Sequence, residues 1–264
     1  TVGHTGTIRG LTQSAGVINP TSDAAVQTSS TTTTPPRFNQ WYGFGKEEEV
    51  YYRVTGTTST TAVYDATLFT DPVTVTVVPG SFQAGPITIT TAGQGHTTDT
   101  DMWVYNANLN AIPDYGNDDA YLQSYSMSTL TRNFTPGVYY LALSNYNVAN
   151  NLPSPADDDY RSGSVMDFPD SAANSSTSTA LNLQFSITDA TGVPVVVPST
   201  KTGPFDINWF QFTVFEPTTG ACCVGANCLP DVSEVDCANM GGTYKGNGST
   251  CGPPNPCVGA CCFG

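Results

Sequence analysis

Short segments in which apolar residues alternate with Thr recur between Arg37 and Phe215. Val73 to Val78 reads Val-Thr-Val-Thr-Val-Val, and Ile87 to Thr90 repeats the same two-residue period. Because a strand points successive side chains to opposite faces of a sheet, this period predicts half-buried β-strands. Gly, Pro, Asn and Asp separate the segments, which is typical of the tight turns between strands.

The alternating segments predict about nine strands and no long helix. The strands are Val50–Val54, Ala62–Phe69, Val73–Val78, Ile87–Thr90, Met102–Tyr105, Tyr121–Met127, Val138–Leu143, Leu181–Ile187 and Ile207–Val214. Many short strands joined by turns indicate an all-β fold, an antiparallel β-sandwich or jelly roll, over residues 37–215. Residues 146–179 are polar, and we interpret them as a long surface excursion between two strands.

The N-terminal segment, residues 1–36, is rich in Thr and ends in a Ser/Thr run before Pro35 and Pro36. A flexible linker with O-linked sugar is one interpretation of such a composition. Residues 7–11 and 15–18, however, carry apolar side chains and are compatible with strands. We therefore expect residues 1–36 to pair with the sheet edge of another copy, or else to be the first strand of their own sandwich.

The C-terminal segment, residues 216–264, holds all eight Cys residues and reads as a separate disulfide-rich module. The motif Gly-Ala-Cys-Cys occurs at Gly220 and again at Gly259, which predicts a tandem repeat. One repeat contains Cys222, Cys223, Cys228, Cys237, Cys251 and Cys257, and the next begins with Cys261 and Cys262. Six cysteines allow 15 pairings, which spacing alone does not resolve. Zinc is the rival interpretation, but no His lies nearby, so we favour disulfides.

The charge balance excludes two classes of partner. Lys and Arg total 8 against 22 Asp and Glu, a formal net charge of −14. Nucleic acids and anionic membrane surfaces both require clustered basic residues. The apolar runs are also too short to span a bilayer. Eight Cys, few charges and a start at Thr1 rather than Met together predict a processed protein that is extracellular or on the cell surface.

Acidic residues bracket one predicted strand and its following turn, and they form the candidate metal site. The set is Asp99, Asp101, Asp114, Asn117, Asp118 and Asp119. Ca²⁺ takes six to eight oxygen ligands of this kind, so calcium is the cofactor that the set could hold. A solvated acidic turn is the alternative, since no EF-hand spacing is present. Asp157 to Asp159 form a weaker second candidate.

Carbohydrate could enter either as a modification or as a ligand. Asn133, Asn174 and Asn247 each begin an Asn-x-Ser/Thr sequon, although such triplets also arise by chance. Exposed aromatic side chains could bind glycan, but Trp41, Trp103 and Trp209 lie in strand-like patterns, and we expect them in the core.

Catalytic machinery is hard to assemble from this sequence. His4 and His96 are the two His residues, and neither lies in a catalytic motif. Three of the Glu residues form the run Glu47 to Glu49, which is typical of a solvated turn. We therefore expect a protein that is not an enzyme.

Five motifs in the β region resemble those of the bacterial pre-peptidase C-terminal domain family. They are Trp41-Tyr42-Gly43-Phe44, Asp99-Thr100-Asp101-Met102-Trp103-Val104-Tyr105-Asn106, Asn117-Asp118-Asp119, Thr135-Pro136-Gly137-Val138-Tyr139-Tyr140-Leu141-Ala142-Leu143 and Asn208-Trp209-Phe210-Gln211-Phe212-Thr213-Val214. The Cys-rich segment, with its core Gly241-Gly242-Thr243-Tyr244-Lys245-Gly246, resembles repeats in surface proteins of planctomycetes. Both resemblances imply non-catalytic attachments or surface building blocks.

Two functions follow as expectations. The first is a structural subunit or module of an extracellular filament, sheath or surface layer, with copies of itself as partners. The second is a calcium-stabilised accessory module of a larger secreted enzyme or adhesin, which binds glycan or protein.

Overall fold

A computed structural model describes residues 4–9, 11–14, 17–20, 40–47, 51–56, 63, 65–120, 126–146, 148–153, 155, 170–174 and 176–258. Three sets of residues singled out from the sequence lie outside these ranges. They are the Ser/Thr run at 28–34, the acidic run Asp157 to Asp159, and the pair Cys261 and Cys262.

The regular elements of the described residues are strands, apart from one short helix. The strands of the first half are β1 His4–Arg9, β2 Leu11–Ser14, β3 Val17–Pro20, β4 Tyr42–Gly43, β5 Tyr51–Gly56, β6 Val75–Val77, β7 Phe82–Gln83, β8 Gly85–Thr90, β9 Thr100–Asn106, β10 Ala111–Asn117 and β11 Thr129–Phe134. The second half contains β12 Gly137–Asn145, β13 Val148–Ala149, β14 Ser171–Asn174, β15 Leu181–Asn182, β16 Phe185–Thr188, β17 Val195–Val197, β18 Thr200–Lys201, β19 Asn208–Phe215, β20 Thr219–Val224, β21 Asn227–Ser233, helix α1 Glu234–Asn239 and β22 Thr243–Asn247.

Two sheets pack face to face and confirm the predicted all-β sandwich. The first has the strand order β10-β9-β12-β19-β6, with β7 also pairing with β19. The second has the order β11-β8-β16-β17. Their pairings are antiparallel except at one edge, where the short strands β6 and β7 run parallel to β19.

The core between the sheets takes one side chain from every second position of the long strands. Met102 and Val104 of β9 and Phe210 and Phe212 of β19 contribute from the first sheet. Ile87, Ile89, Leu130, Phe134, Phe185 and Ile187 contribute from the second sheet. The two-residue period seen in the sequence is therefore the spacing of residues that face this core.

The outer face of the first sheet is also covered, which the sequence did not predict. Trp103, Tyr105 and Trp209 alternate with the core residues and form a second buried cluster with Ile207 and Val148. Strands β4, β13 and β14 supply the cover. An ideal Cβ on Gly116 of β10 would lie 2.2 Å from the Trp103 ring, so glycine is required for this close approach.

Several strand boundaries differ from the predictions for physical reasons. Residues 65–69 of the predicted strand Ala62–Phe69 are exposed and belong to no strand, because strand-forming residues still need a partner strand. Ser126 and Met127, the last residues of the predicted strand Tyr121–Met127, likewise belong to no strand. Strand β10 escaped prediction because it contains Pro113, Asp114 and Gly116 and has a shifted register against β9. Strands β13 and β14, inside residues 146–179, are buried, so these two parts of the segment are not a surface excursion.

The N-terminal residues form two ribbons that are separate from the sandwich sheets. Strand β1 pairs antiparallel with β5 over six positions, from His4 opposite Gly56 to Arg9 opposite Tyr51. Strands β2 and β3 form a hairpin. Residues 4–9 thus pair with their own chain, but not as a strand of the sandwich.

The Cys-rich segment contains a three-stranded sheet of order β21-β20-β22 and helix α1. Ser233 caps the helix, since its hydroxyl accepts a hydrogen bond from the Asp236 amide. An ideal Cβ on Gly242 would lie 2.5 Å from the Cys222 Sγ, so a small residue is needed beside the sulfurs. The sequence showed no alternating apolar pattern here, because cysteines supply much of the interior.

Candidate metal centre and other candidate sites

Three of the predicted acidic residues meet at one end of the β9–β10 pair. Asp99 immediately precedes β9, whereas Asp118 and Asp119 immediately follow β10. Because these strands pair antiparallel, with Asn117 opposite Met102, the start of one adjoins the end of the other. One carboxylate oxygen from each of the three residues lies within 4.8 Å of the others.

Burial and turn geometry hold two of these carboxylates in place. Asp118 is 0% and Asp119 4% exposed. The Asn117 side chain accepts a hydrogen bond from the Thr129 amide (2.6 Å) and donates one to the Asp119 carbonyl (3.3 Å). The Ser128 hydroxyl donates to the Asp118 carbonyl (3.1 Å). Asn117 therefore positions the turn, and this fixes where the carboxylates of the next two residues lie.

Two other predicted ligands lie outside the group of three carboxylates. Asp101 is fully buried, and its Oδ2 accepts a hydrogen bond from the Val148 amide (2.6 Å), which anchors strand β13. Asp114 is exposed in the middle of β10 with a positive φ of 66°. Its carbonyl accepts a hydrogen bond from Arg132 Nε (2.7 Å). The sequence indicated that Asp101 and Asp114 lie near the turn, but it did not indicate the directions in which their side chains point.

The chemistry of the three-carboxylate cluster fits a hard cation. Three negative charges within 4.8 Å repel one another unless a cation or solvent lies between them. Asp99, Asp118 and Asp119 offer up to six carboxylate oxygens, and Ca²⁺ takes six to eight oxygens in flexible geometry. These three residues are the ones that would hold the ion.

In the described part of the Cys-rich module, three disulfides join the six cysteines between residues 222 and 257. Cys222 pairs with Cys237, Cys223 with Cys257, and Cys228 with Cys251. The predicted disulfides are thus confirmed for these six residues, and the pairing is one of the 15 left open by the sequence. None of the six thiols is available to bind zinc.

The three sequons lie in different environments. Asn133 and Asn247 are exposed at strand ends. Asn174 is fully buried on β14, where its Nδ2 donates hydrogen bonds to the Ser144 hydroxyl and the Asn145 carbonyl. A sugar attached at Asn174 Nδ2 would break these bonds, whereas the other two positions face solvent.

His96 is the His residue whose side chain the structure describes, and it has a structural contact. Its Nε2 hydrogen-bonds the Gln184 carbonyl at 2.5 Å, which links the loop before β9 to the strand region of the second sheet. This ring nitrogen is therefore committed to the backbone. His4 lies on β1. The expectation that the protein is not an enzyme stays a prediction.

A fully buried lysine is the feature that sequence reasoning missed. Lys201 on β18 is 0% exposed, which is rare for lysine. Its Nζ donates hydrogen bonds to Asn145 Oδ1 (2.7 Å) and the Ser176 carbonyl (3.4 Å). Burial lowers the pKa of the Lys201 amine from 10.5 to about 8, and the charge of Asp206 opposes that shift.

The surroundings of Lys201 are fixed by further hydrogen bonds. Asn145 Nδ2 donates to the Ser176 hydroxyl (2.5 Å). The Asp206 carboxylate accepts from Gln40 Nε2 (3.0 Å), and its carbonyl accepts from the Ser144 hydroxyl (2.6 Å). Gln40 also donates to the hydroxyl of Tyr42, and burial raises the pKa of that phenol. No motif in the sequence marks this cluster, because its members come from distant strands.

An apolar segment is exposed at the parallel edge of the first sheet. Residues 65–77 are exposed at every position and end in the edge strand β6. Leu68 is 70% and Phe69 82% exposed, and Val77 on β6 is 67% exposed. Exposed apolar strands at an open edge are sites where another chain can add.

Comparison of the chain with protein-family models, with curated proteins and with solved structures finds no match. The resemblances drawn from short motifs therefore stay predictions. Among the described residues, no helix has the length and apolar character needed to cross a membrane.

Proposed function

We propose that this protein is a non-catalytic, extracellular structural subunit whose copies associate through main-chain pairing at the β6 edge. The observation that carries the proposal is the set of exposed apolar side chains in and before that edge strand, namely Leu68, Phe69, Val73, Val75 and Val77. A monomer gains nothing from leaving Leu68 and Phe69 in water, since burying each would contribute about 1.5–3 kcal/mol. A second chain is the partner that can cover them.

The edge is short on its own and can be extended by a strand from another copy. Strand β6 has three residues and pairs on one side with β19, opposite Trp209 to Gln211. Its other side lies at the end of the sheet order. A strand added there would complete the main-chain hydrogen bonds of β6 and cover Val75 and Val77.

The N-terminal segment, residues 1–36, is the donor that we assign to this edge. Its described parts all adopt strand geometry, as β1, β2 and β3. Because β1 already pairs with β5, the hairpin of β2 and β3 is the part of this segment that can add to β6. A donor and an acceptor on different surfaces make a head-to-tail contact, which produces a filament rather than a closed dimer.

Negative-stain microscopy and sedimentation velocity on matched variants test the proposal. Val77→Lys places a charge on the edge, and Val193→Lys places one on an equally exposed valine in the turn before β17, since both are 67% exposed. We expect Val77→Lys and deletion of residues 1–36 to abolish filaments, while Val193→Lys assembles like the wild type. Filaments of normal length from the Val77→Lys protein or from the deletion would contradict the proposal.

A calcium-stabilised accessory module, binding glycan or protein within a larger secreted protein, is the second candidate. The cluster of Asp99, Asp118 and Asp119 is the observation that favours it. A calcium-dependent monomer that binds polysaccharide and forms no filament would support this function over the first.

A further inference from the structure

The amine of Lys201 and the carboxamide of Asn145 are held in contact inside the protein. Their residues are separated by 56 positions, and the Nζ–Oδ1 distance is 2.7 Å. Lys201 is 0% and Asn145 7% exposed. Asn145 ends strand β12 in the middle of the first sheet, while Lys201 is fixed on β18 by pairing opposite Leu181. The backbone thus sets the position of both groups independently of their contact.

We propose that Lys201 and Asn145 react to form an intramolecular isopeptide bond. The Lys201 Nζ attacks the Asn145 Cγ, the Nζ–Cγ bond forms and the Cγ–Nδ2 bond breaks. The amine gives up one proton and the leaving Nδ2 gains one, so ammonia is released and a neutral secondary amide remains. No electrons are transferred, and the reaction needs no cofactor or external reactant.

The surroundings favour each part of this reaction. A nucleophilic amine must be uncharged, and burial of Lys201 increases the uncharged fraction at neutral pH. The Ser176 hydroxyl, 2.5 Å from Asn145 Nδ2, orients the leaving group. The proton that the amine loses passes directly to the departing Nδ2, because both nitrogens lie on the same carbon when the Nζ–Cγ bond has formed.

The product also removes an unfavourable feature of the fold. A buried ammonium that is hydrogen-bonded to a neutral amide and a carbonyl lacks full compensation for its lost hydration. Converting it to an amide eliminates that charge and links β12 to β18 covalently. Such a link would resist unfolding even where disulfides are reduced. This consequence rests on the proposed function as an extracellular structural protein.

Mass spectrometry of the full chain, reduced and alkylated, tests the bond directly. We expect an intact mass about 17 Da below the sequence mass, the loss of one ammonia. Trypsin cleaves after Arg132, Arg161 and Lys245 but not after a Lys201 whose side chain is an amide. Residues 133–161 and 162–245 should therefore appear as one branched peptide.

Matched variants separate the cross-link from other losses of ammonia. Asn145→Ala should have its full sequence mass and release the peptide 162–201. Asn182→Ala changes an exposed asparagine on the neighbouring strand β15 and should keep the cross-link. The wild-type peptide map decides the proposal even if a variant fails to fold: separate peptides 133–161 and 162–201 in the wild type would overturn it, whether or not filaments form.

Discussion

At the residue scale, side-chain position separates a candidate metal ligand from a carboxylate outside the candidate site. Asp118 lies in the three-carboxylate cluster, whereas Asp114 is exposed on β10 outside it. Both were candidate ligands from the sequence. Neutralising a ligand weakens binding of calcium, while neutralising a distant carboxylate leaves it unchanged.

We therefore predict that millimolar calcium raises the melting temperature of the wild type and of Asp114→Asn, but not that of Asp118→Asn. The physical reason is mass action, because calcium that binds only the folded state stabilises it. Differential scanning calorimetry in calcium and in EGTA measures the shift. Equal melting temperatures of the wild type under both conditions would rule out a calcium site here.

The second residue-scale prediction concerns pH and Lys201. In Asn145→Ala, which keeps the amine, the folded-state pKa is lowered towards 8 while the unfolded value stays near 10.5. The unfolded state then binds more protons between these pH values, so stability rises with pH, at most by about 1.4 kcal/mol per unit. Asp206 is the charged group that acts on this amine.

Urea denaturation at pH 8, 9 and 10 measures this effect. The double variant Asn145→Ala/Lys201→Met should lack the rise, and so should the wild type if the proposed bond to Asn145 removes the titrating amine. The window ends at pH 10, because above the ordinary phenol pKa of 10.0 Tyr42 ionises in the unfolded state before the folded one, and stability then falls with pH. A rise of equal size in the double variant would show that another group is responsible.

The sequence predicted the acidic cluster but not the cluster around Lys201, and there is a physical reason why only the first was predictable. Asp99 and Asp118 flank two strands that are consecutive in the sequence, so antiparallel pairing brings them together. Lys201 and Asn145 meet only because β15, β18 and β12 take particular places in the fold, and sequence periodicity carries no information about that placement. Side-chain directions, as for Asp101 and Asp114, depend on register and local φ.

At the scale of elements, the two-residue period predicted the strands that face the core between the sheets. The two-residue period did not predict strands whose residues have little strand preference and which form because a neighbouring strand pairs with them. Strand β10 contains Pro113 and Gly116, and Gly116 is there because the Trp103 ring occupies the space of a side chain. The exposed residues 65–69 have strand-like composition but no partner strand within the described chain.

The Cys-rich module allows a prediction at the scale of elements. Cys222 and Cys237, both 0% exposed, join strand β20 to helix α1. Replacing both with Ala should destabilise the module by about 2–5 kcal/mol, since small domains depend on such links. All three Trp residues lie in the sandwich region, so thermal unfolding followed by Trp fluorescence should be unchanged. Far-ultraviolet circular dichroism and proteolysis report on the module, and loss of the Trp transition would instead show that the two parts unfold together.

At the scale of the whole molecule, the net charge of −14 opposes association of copies. Raising the ionic strength from about 0.01 M to 0.15 M shortens the Debye length from about 30 Å to 8 Å and screens this repulsion. If copies associate through the apolar β6 edge, we predict faster assembly in 150 mM than in 10 mM sodium chloride. Light scattering at fixed protein concentration measures the rate. Assembly that is slower at higher salt would indicate an interface held by ion pairs.

The disulfide between Cys223 and Cys257 has a mechanical consequence. A pulling force that enters the module from the sandwich and leaves beyond residue 257 passes through this bond, because its two cysteines lie near the two ends of the module. The segment between them spans a sequence separation of 34 and carries no tension. Reducing all three disulfides would release roughly 110 Å of extended chain, whereas breaking this bond alone leaves the Cys228–Cys251 link to hold most of that length. In a tandem array, each intact repeat would therefore transmit load at nearly constant length, and reduction would turn it into an extensible tether.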